Sequence, residues 1–219
     1  MNIQQRKFSI EQQIIAAKSA HGAVADLRAV LEFHLVEGEQ DEQRLDDAEN
    51  FCIRYIEQVP YWMTVAEAAA REVGIEEAMD KVLHSALIYW EDEEDVINDR
   101  MGLLGLMDDA YYSLSILQSV SEHYRIQTGK YLFPSDLVKV NQTIHRVLGE
   151  PYNHELDRII ASRLKEVDLT EALSHATDKA KQHALETRQT IWGHDPVITE
   201  TANELDALNN SFPPDVHES

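Results

Sequence analysis

The sequence predicts an all-α protein, folded as a compact multi-helix bundle of about seven to nine helices. Apolar residues recur at spacings of three and four over most of the 219 residues, which is the period of amphipathic helices. Only eight glycines and six prolines interrupt the chain, so few turns are signalled. No segment alternates apolar and polar residues as a half-buried strand does. We expect one helical domain over residues 1–208 and a flexible tail over residues 209–219.

A long amphipathic helix is predicted first, over residues 10–35. Ser9 and Gln12, three residues apart, form a capping pair at its start. A second helix carries apolar residues on one side over residues 45–59. Pro60 is expected to end this helix, because proline disfavours the helical conformation in the residue before it.

Two further helices lead to the middle of the chain. Thr64, with Glu67 three residues later, makes a capping box that opens a short helix. Gly74 is expected to end it, since glycine adopts the left-handed conformation common at helix C-termini. The apolar stripe resumes over residues 75–90 and delivers the chain into an aspartate-rich segment, residues 95–109.

The second half of the chain predicts the most buried helix. Apolar residues occupy two flanks of the segment between Leu103 and Gly129, so little of it can face water. Ser135 is expected to open the next helix, which Gly149 ends, and a further amphipathic helix follows. Residues 169–191 keep the helical period but are polar on their other faces, which favours an outer helix or one that meets a partner.

The composition limits which kinds of partner and which cellular compartment we expect. Forty acidic residues against nineteen basic ones give a net charge of -21, which disfavours direct binding of nucleic acid or anionic lipid. No stretch approaches the roughly eighteen consecutive apolar residues of a membrane span, and the N-terminus lacks the apolar core of a signal peptide. Cys52 is the single cysteine, which fits a reducing compartment and a small buried side chain. We therefore expect a cytoplasmic protein.

Residues 95–109 contain more candidate functional residues than any other segment of this length. Four aspartates and two glycines lie in this segment: Asp95, Asp99, Asp108, Asp109, Gly102 and Gly105. If the glycines let the chain fold back, the four carboxylates come together, and clusters of oxygen ligands suit Mg²⁺ or Mn²⁺. Tyr89 could then hydrogen-bond one of the carboxylates. The alternative is structural, because aspartates also cap turns and helix N-termini.

The same segment resembles the signature of the YkvA-like domain family, a small helical domain of uncharacterised function found in many bacteria. The family pattern is Tyr, a short gap, Asp-x-Ile-Pro-Asp-x-x-Pro-x-x-Gly-x-x-Asp-Asp, then Ala and an apolar helix. The residues in register are Tyr89, Asp95, Ile97, Asp99, Gly105, Asp108, Asp109 and Ala110. Asn98 and Gly102 replace the two family prolines. The resemblance covers about residues 76–120 and implies a bacterial helix-loop-helix core with added N- and C-terminal helices, and no established activity.

Three functions remain open from the sequence. The first is an acidic protein-interaction or accessory protein that binds a basic protein surface or associates with itself. The second is a divalent-metal-binding protein, or a metal-dependent hydrolase, that uses the aspartates of residues 95–109. The third is a nucleic-acid mimic, for which the acidic segments 37–47 and 91–95 would supply the charge.

Other catalytic arrangements find little support, so a non-enzymatic role is favoured. Serine and threonine nucleophiles lack a glycine elbow, and the chain has no phosphate-binding glycine loop. The ten histidines are scattered without the paired spacing of a zinc or di-metal site. His154 and Asp157, three residues apart, are an isolated match that we place on the surface.

Overall fold

Eight α-helices make up most of the part of the chain that the structure describes. The structure, a computed structural model, describes residues 3–35, 42–92, 95–133 and 136–167, with side chains except those of Ile3, Asp99 and Asp136. The helices are α1 (Ile3–Ser19), α2 (Ala25–His34), α3 (Glu42–Glu57), α4 (Val59–Val73), α5 (Glu76–Tyr89), α6 (Gly105–Thr128), α7 (Asp136–Leu148) and α8 (Tyr152–Val167). A 3-10 turn, Asp99–Met101, lies between α5 and α6, and these described residues form no strand. The prediction of an all-α bundle of about seven to nine helices is confirmed.

Helix α6 forms the centre of the bundle. Sixteen of its twenty-four residues are buried, and α3, α4, α5, α7 and α8 all pack against it. Each of the eight helices contributes apolar side chains to the same hydrophobic core. The burial follows from apolar residues on two flanks of α6, which leave only a narrow strip for water. The expectation that this helix is the most buried one is correct.

The helix predicted over residues 10–35 is wrong, because the structure divides it in two. Helix α1 begins at Ile3 rather than at the expected Ser9 cap, and it ends at Ser19. Gly22 follows with a φ of 75°, a left-handed conformation that ends helical propagation. The turn leaves the carbonyl oxygen of Ala23 outside any helix, where it accepts a hydrogen bond from the Leu103 N–H at 3.2 Å. This break therefore ties the N-terminal helices to the loop before α6.

The roles predicted for Pro60 and Thr64 are also wrong. Helix α3 already ends at Glu57, and Pro60 lies in the first turn of α4, where its missing N–H costs no helical hydrogen bond. Thr64 lies inside α4 and donates its hydroxyl to the Pro60 carbonyl at 3.0 Å, so it caps nothing. The Lys7 ammonium of α1 contacts Thr64 and forms an ion pair with Glu67. The supposed capping pair instead holds α1 against α4.

Several predicted helix ends agree with the structure. Gly74, Gly129 and Gly149 follow α4, α6 and α7, each with a positive φ. The expected cap Ser135, the helix over residues 169–191, the domain end at 208 and the tail 209–219 lie outside the described residues. Among the helices described, none combines the length and apolar character that crossing a membrane requires.

Cys52 provides a direct test of the packing. It lies on α3 without solvent exposure, and burial raises the pKa of its thiol to about 12. Because the thiolate is the reactive species, we expect the native protein to be inert to a thiol reagent and to react at one equivalent when it unfolds. The absorbance of the chromophore that the reagent releases on reaction measures the extent of labelling. Rapid labelling of the native protein would contradict the packing of α3.

Candidate functional site

Several contacts fix the described part of the loop between α5 and α6. The Trp90 indole N–H, just after α5, donates to Ser113 Oγ on α6 at 2.8 Å. Ile97 inserts its side chain into the hydrophobic core. Near the end of the loop, the Leu103 N–H donates to the Ala23 carbonyl. These contacts hold the loop against α6, the hydrophobic core and the α1–α2 turn.

Asp108 joins this loop to α6. It lies in the first turn of α6, and its Oδ2 accepts the Ile97 N–H at 2.9 Å. The Tyr89 hydroxyl donates to the same oxygen at 3.4 Å, so the expected contact between Tyr89 and a carboxylate of this segment is present. The residue before α6, Leu104, supplies no side-chain cap. Asp108 therefore has a structural role, which is to bind the loop to the start of α6.

Three of the four predicted aspartates converge. Asp95, Asp108 and Asp109 each place a carboxylate oxygen within 4.8 Å of the others. Asp108 is 0% exposed and Asp109 is 1% exposed, and both oxygens of Asp95 are shielded from solvent. Oδ1 of Asp108 is buried and has no hydrogen-bond partner among the residues that the structure describes. The fourth aspartate, Asp99, lies in the 3-10 turn, and its side chain is outside the described part of the structure.

The convergence changes the protonation of the cluster. Burial raises the pKa of Asp108 to about 8, and repulsion from the Asp95 carboxylate acts in the same direction. Hydrogen bonding from the Ile97 N–H opposes both effects without cancelling them. Burial and the nearby Asp108 also raise the pKa of Tyr89, so this phenol stays protonated. Near neutral pH Asp108 therefore holds a proton, unless a cation takes its place.

The glycines of the segment have different roles. Gly102 has a φ of 63°, and a Cβ at this position would lie 2.9 Å from the Ala23 carbonyl oxygen. It allows both the turn and the close approach to the α1–α2 connection. Gly105 is the first residue of α6 and does not turn the chain, so its expected role in the bend is not seen. Ala110 is fully buried in the core further along α6.

A cavity of about 620 Å³ adjoins the aspartate cluster. Asp95 lies in its wall, and Tyr89 and Tyr112 stack beside it with ring centroids 4.2 Å apart. Among the residues that the structure describes, its charged lining residues are three acids and one base, namely Asp92, Asp95, Glu155 and Arg163. The excess of carboxylates makes the cavity more favourable for cations than for anions.

A second cluster lies at the junction of α7 and α8. His145, His154 and Asp157 place ligand atoms within 4.8 Å of one another. The expectation that His154 and Asp157 form an isolated surface pair is therefore incomplete, because His145 of α7 joins them. The sequence signal was the spacing of three between His154 and Asp157, but nothing in the periodicity linked it to His145.

Comparison of the chain with protein-family models, with curated proteins and with solved structures gives no match. The helix-loop-helix formed by α5 and α6 occupies the residues that resemble the YkvA-like signature. The resemblance itself stays a prediction.

Proposed function

We propose that the protein binds a divalent cation, Mg²⁺ or Mn²⁺, through Asp95, Asp108 and Asp109. The observation that carries the proposal is Oδ1 of Asp108, a buried carboxylate oxygen with no hydrogen-bond partner in the described part of the chain, in a residue that has two further carboxylates beside it. Buried polar atoms are nearly always hydrogen-bonded, so an oxygen without a hydrogen bond in this position indicates another binding partner. A cation coordinated by this oxygen would be that partner.

The spacing of the cluster suits a single ion. Metal–oxygen bonds of about 2.0–2.1 Å for Mg²⁺ put opposite ligands of an octahedron roughly 4 Å apart. Carboxylate oxygens within 4.8 Å of one another can reach this arrangement with small side-chain movements. Mg²⁺ usually keeps several coordinated waters and takes few protein ligands, so three carboxylates are sufficient.

Charge and access favour the same ligand. Burial and the neighbouring Asp95 carboxylate disfavour ionisation of Asp108, and a divalent cation would supply the neutralising charge that a proton on Asp108 otherwise supplies. Asp95 reaches the wall of the 620 Å³ cavity, through which a hydrated ion can approach the cluster. Water molecules retained by the ion have room on the cavity side.

A metal-dependent hydrolase is the narrower form of this proposal. A bound cation would lower the pKa of a coordinated water and could hold a phosphate group in the cavity. The enzymatic step stays a prediction, and cation binding does not depend on it.

The proposal is tested by following thermal unfolding of chelator-treated, tag-free protein at pH 8 with Mg²⁺, Mn²⁺ or Ca²⁺ added. A cation that binds only the native state, at a hundred times its Kd, adds about 2.7 kcal/mol of stability and raises the Tm. We expect a rise for wild type with Mg²⁺ or Mn²⁺, and none for Asp108→Asn. Asp92→Asn, which removes an acid from the same cavity outside the cluster, should retain the response. The proposal fails if millimolar Mg²⁺ and Mn²⁺ leave the wild-type Tm unchanged, or if Asp108→Asn responds as wild type does.

The role in protein interaction stays a prediction, with a basic protein surface or a second copy of the chain as the expected partner. The helix expected to meet that partner, residues 169–191, lies outside the described residues. The acidic segments 37–47 and 91–95, which a nucleic-acid mimic would need, are described only in part. The cytoplasmic location likewise stays a prediction.

A further inference from the structure

We infer that His145, His154 and Asp157 form a second metal site, chemically distinct from the aspartate cluster, that takes Zn²⁺. This inference does not depend on the proposed function, because it rests on other residues in another part of the bundle. Its basis is the arrangement of two imidazoles and one carboxylate across the junction of α7 and α8.

The site is assembled by a reversal of the chain. His145 lies in the last turn of α7, and Gly149, with a φ of 64°, turns the backbone toward α8. His154 and Asp157 are three residues apart on α8, so their side chains share one face of that helix. His145 Nε2 then lies 3.2 Å from Asp157 Oδ2, and all three residues place ligand atoms within 4.8 Å of one another.

These distances suit tetrahedral coordination. Zn²⁺ binds imidazole nitrogen and carboxylate oxygen at about 2.0–2.1 Å, so neighbouring ligands of a tetrahedron lie roughly 3.3 Å apart. The observed 3.2 Å between His145 Nε2 and Asp157 Oδ2 agrees with that spacing. The His154 side chain is 45% exposed, so it has room for the adjustment that completes a set of three.

Neighbouring side chains hold the ligands in place. The Tyr111 hydroxyl on α6 donates to Asp157 Oδ1 at 2.8 Å, which leaves Oδ2 turned toward His145. The side-chain amide of the buried Asn153 donates to the His145 backbone carbonyl at 3.2 Å. The same amide nitrogen lies 3.4 Å from Nδ1 of the His145 ring. Contacts of this kind around a ligand set orient it and raise its affinity for the metal.

An ion pair between His145 and Asp157 is the simpler explanation of part of this geometry. Burial acts to raise the pKa of Asp157, but hydrogen bonds from His145 and Tyr111 outweigh it and lower this pKa overall. Such a pair accounts for two of the three residues and does not require His154. His154 has an ion-pair partner of its own in Glu150, whose carboxylate lies 3.1 Å from His154 Nε2. The inference of a metal therefore rests on the convergence of all three ligand atoms within 4.8 Å.

The ligand types set the choice of ion. Imidazole nitrogen suits Zn²⁺, whereas oxygen-only clusters suit Mg²⁺ and Mn²⁺. Three protein ligands leave a fourth position for water, which is the pattern of reactive rather than purely structural zinc sites. His145 and Asp157 also line a cavity of about 390 Å³, so a small molecule can approach this side of the site.

The experiment titrates Zn²⁺ into metal-free, tag-free full-length protein by calorimetry, and Co²⁺ as a spectroscopic substitute followed by visible absorption. We expect wild type to bind Zn²⁺ and to give the absorption bands of four-coordinate Co²⁺. His154→Ala should weaken Zn²⁺ binding at least about tenfold, since it removes one ligand from a half-exposed position and leaves the fold intact. Asp157→Asn should act in the same direction.

Two controls separate the possible outcomes. His84→Ala removes a histidine of α5 that contacts Arg6 and lies outside the site, so Zn²⁺ binding should be unchanged. Asp108→Asn should also leave Zn²⁺ binding unchanged, so failure of the aspartate site and failure of this site are distinguishable. Absence of Zn²⁺ binding by wild type, or unaltered binding by both His154→Ala and Asp157→Asn, would overturn the inference.

Discussion

Replacing Gly102 with alanine is expected to lower the free energy of unfolding by about 2–4 kcal/mol. Two effects add. A φ of 63° is strained for any residue with a Cβ, and the new Cβ would lie 2.9 Å from the Ala23 carbonyl oxygen. That oxygen belongs to the backbone and accepts the Leu103 N–H, so it cannot move away without breaking the link between the α1–α2 turn and the loop.

Gly129→Ala is the matched control for this substitution. Gly129 has a φ of 78°, but a Cβ there would meet no atom of the described residues within 4 Å. It should therefore cost only about 1–2 kcal/mol, the penalty of the left-handed conformation alone. Urea unfolding of the two variants measures the difference. Equal losses would show that the approach of Gly102 to Ala23 contributes nothing.

The metal-free protein is expected to lose stability as the pH rises toward 8, because of Asp108. The pKa of this group is about 8 in the folded state against 3.8 for an unperturbed aspartate, so the folded state keeps a proton that the unfolded chain releases between these values. The contribution is fully present below about pH 4 and is lost as the pH rises through about 8. Its slope is at most about 1.4 kcal/mol per pH unit.

Asp108→Asn isolates this contribution from the other titrating groups. The amide carries no charge, keeps an oxygen for the Ile97 N–H, and should therefore remove the slope between about pH 4 and 8. We expect the stability of wild type minus that of the variant to fall steadily across this range in urea titrations with chelator present. Asp92→Asn, which replaces an exposed acid, should follow the wild-type curve. A constant difference between wild type and Asp108→Asn would mean that Asp108 is ionised throughout.

Three of the four aspartates that the sequence analysis singled out, Asp95, Asp108 and Asp109, come together in the structure, but the raised pKa of Asp108 was not predicted. Spacing alone placed Asp108 and Asp109 at the start of a buried helix, with Asp95 on a segment able to fold back. The depth of burial of Asp108 could not be predicted, because α5 and the loop around Ile97 create it. The shifted pKa is therefore a property of the packing between separate elements of the chain.

The helix boundaries show where local patterns fail. Gly22 is a single glycine within an unbroken helical period, and such a residue costs only about 1 kcal/mol inside a helix. We attribute the break to the hydrogen bond from the Leu103 N–H to the Ala23 carbonyl, which joins residues far apart in the sequence. Pro60 is ambiguous for a similar reason, since the same proline can follow one helix or start the next.

The second cluster was missed because its members share no periodicity. His145 lies on α7, and the turn at Gly149 determines which face of α8 it meets. That rotation depends on how both helices pack on α6, so spacing along the chain carries no information about it. Only His154 and Asp157, on one helix, were recognisable as a pair.

The central position of α6 has a consequence for biosynthesis. Its partners come from both directions along the chain, with α3, α4 and α5 before it and α7 and α8 after it. A ribosome therefore exposes α6 with one flank uncovered, including the surface around Tyr111 that α8 later contacts. We therefore expect this apolar surface of α6 to stay exposed to aggregation during synthesis until α8 has emerged and packed against it.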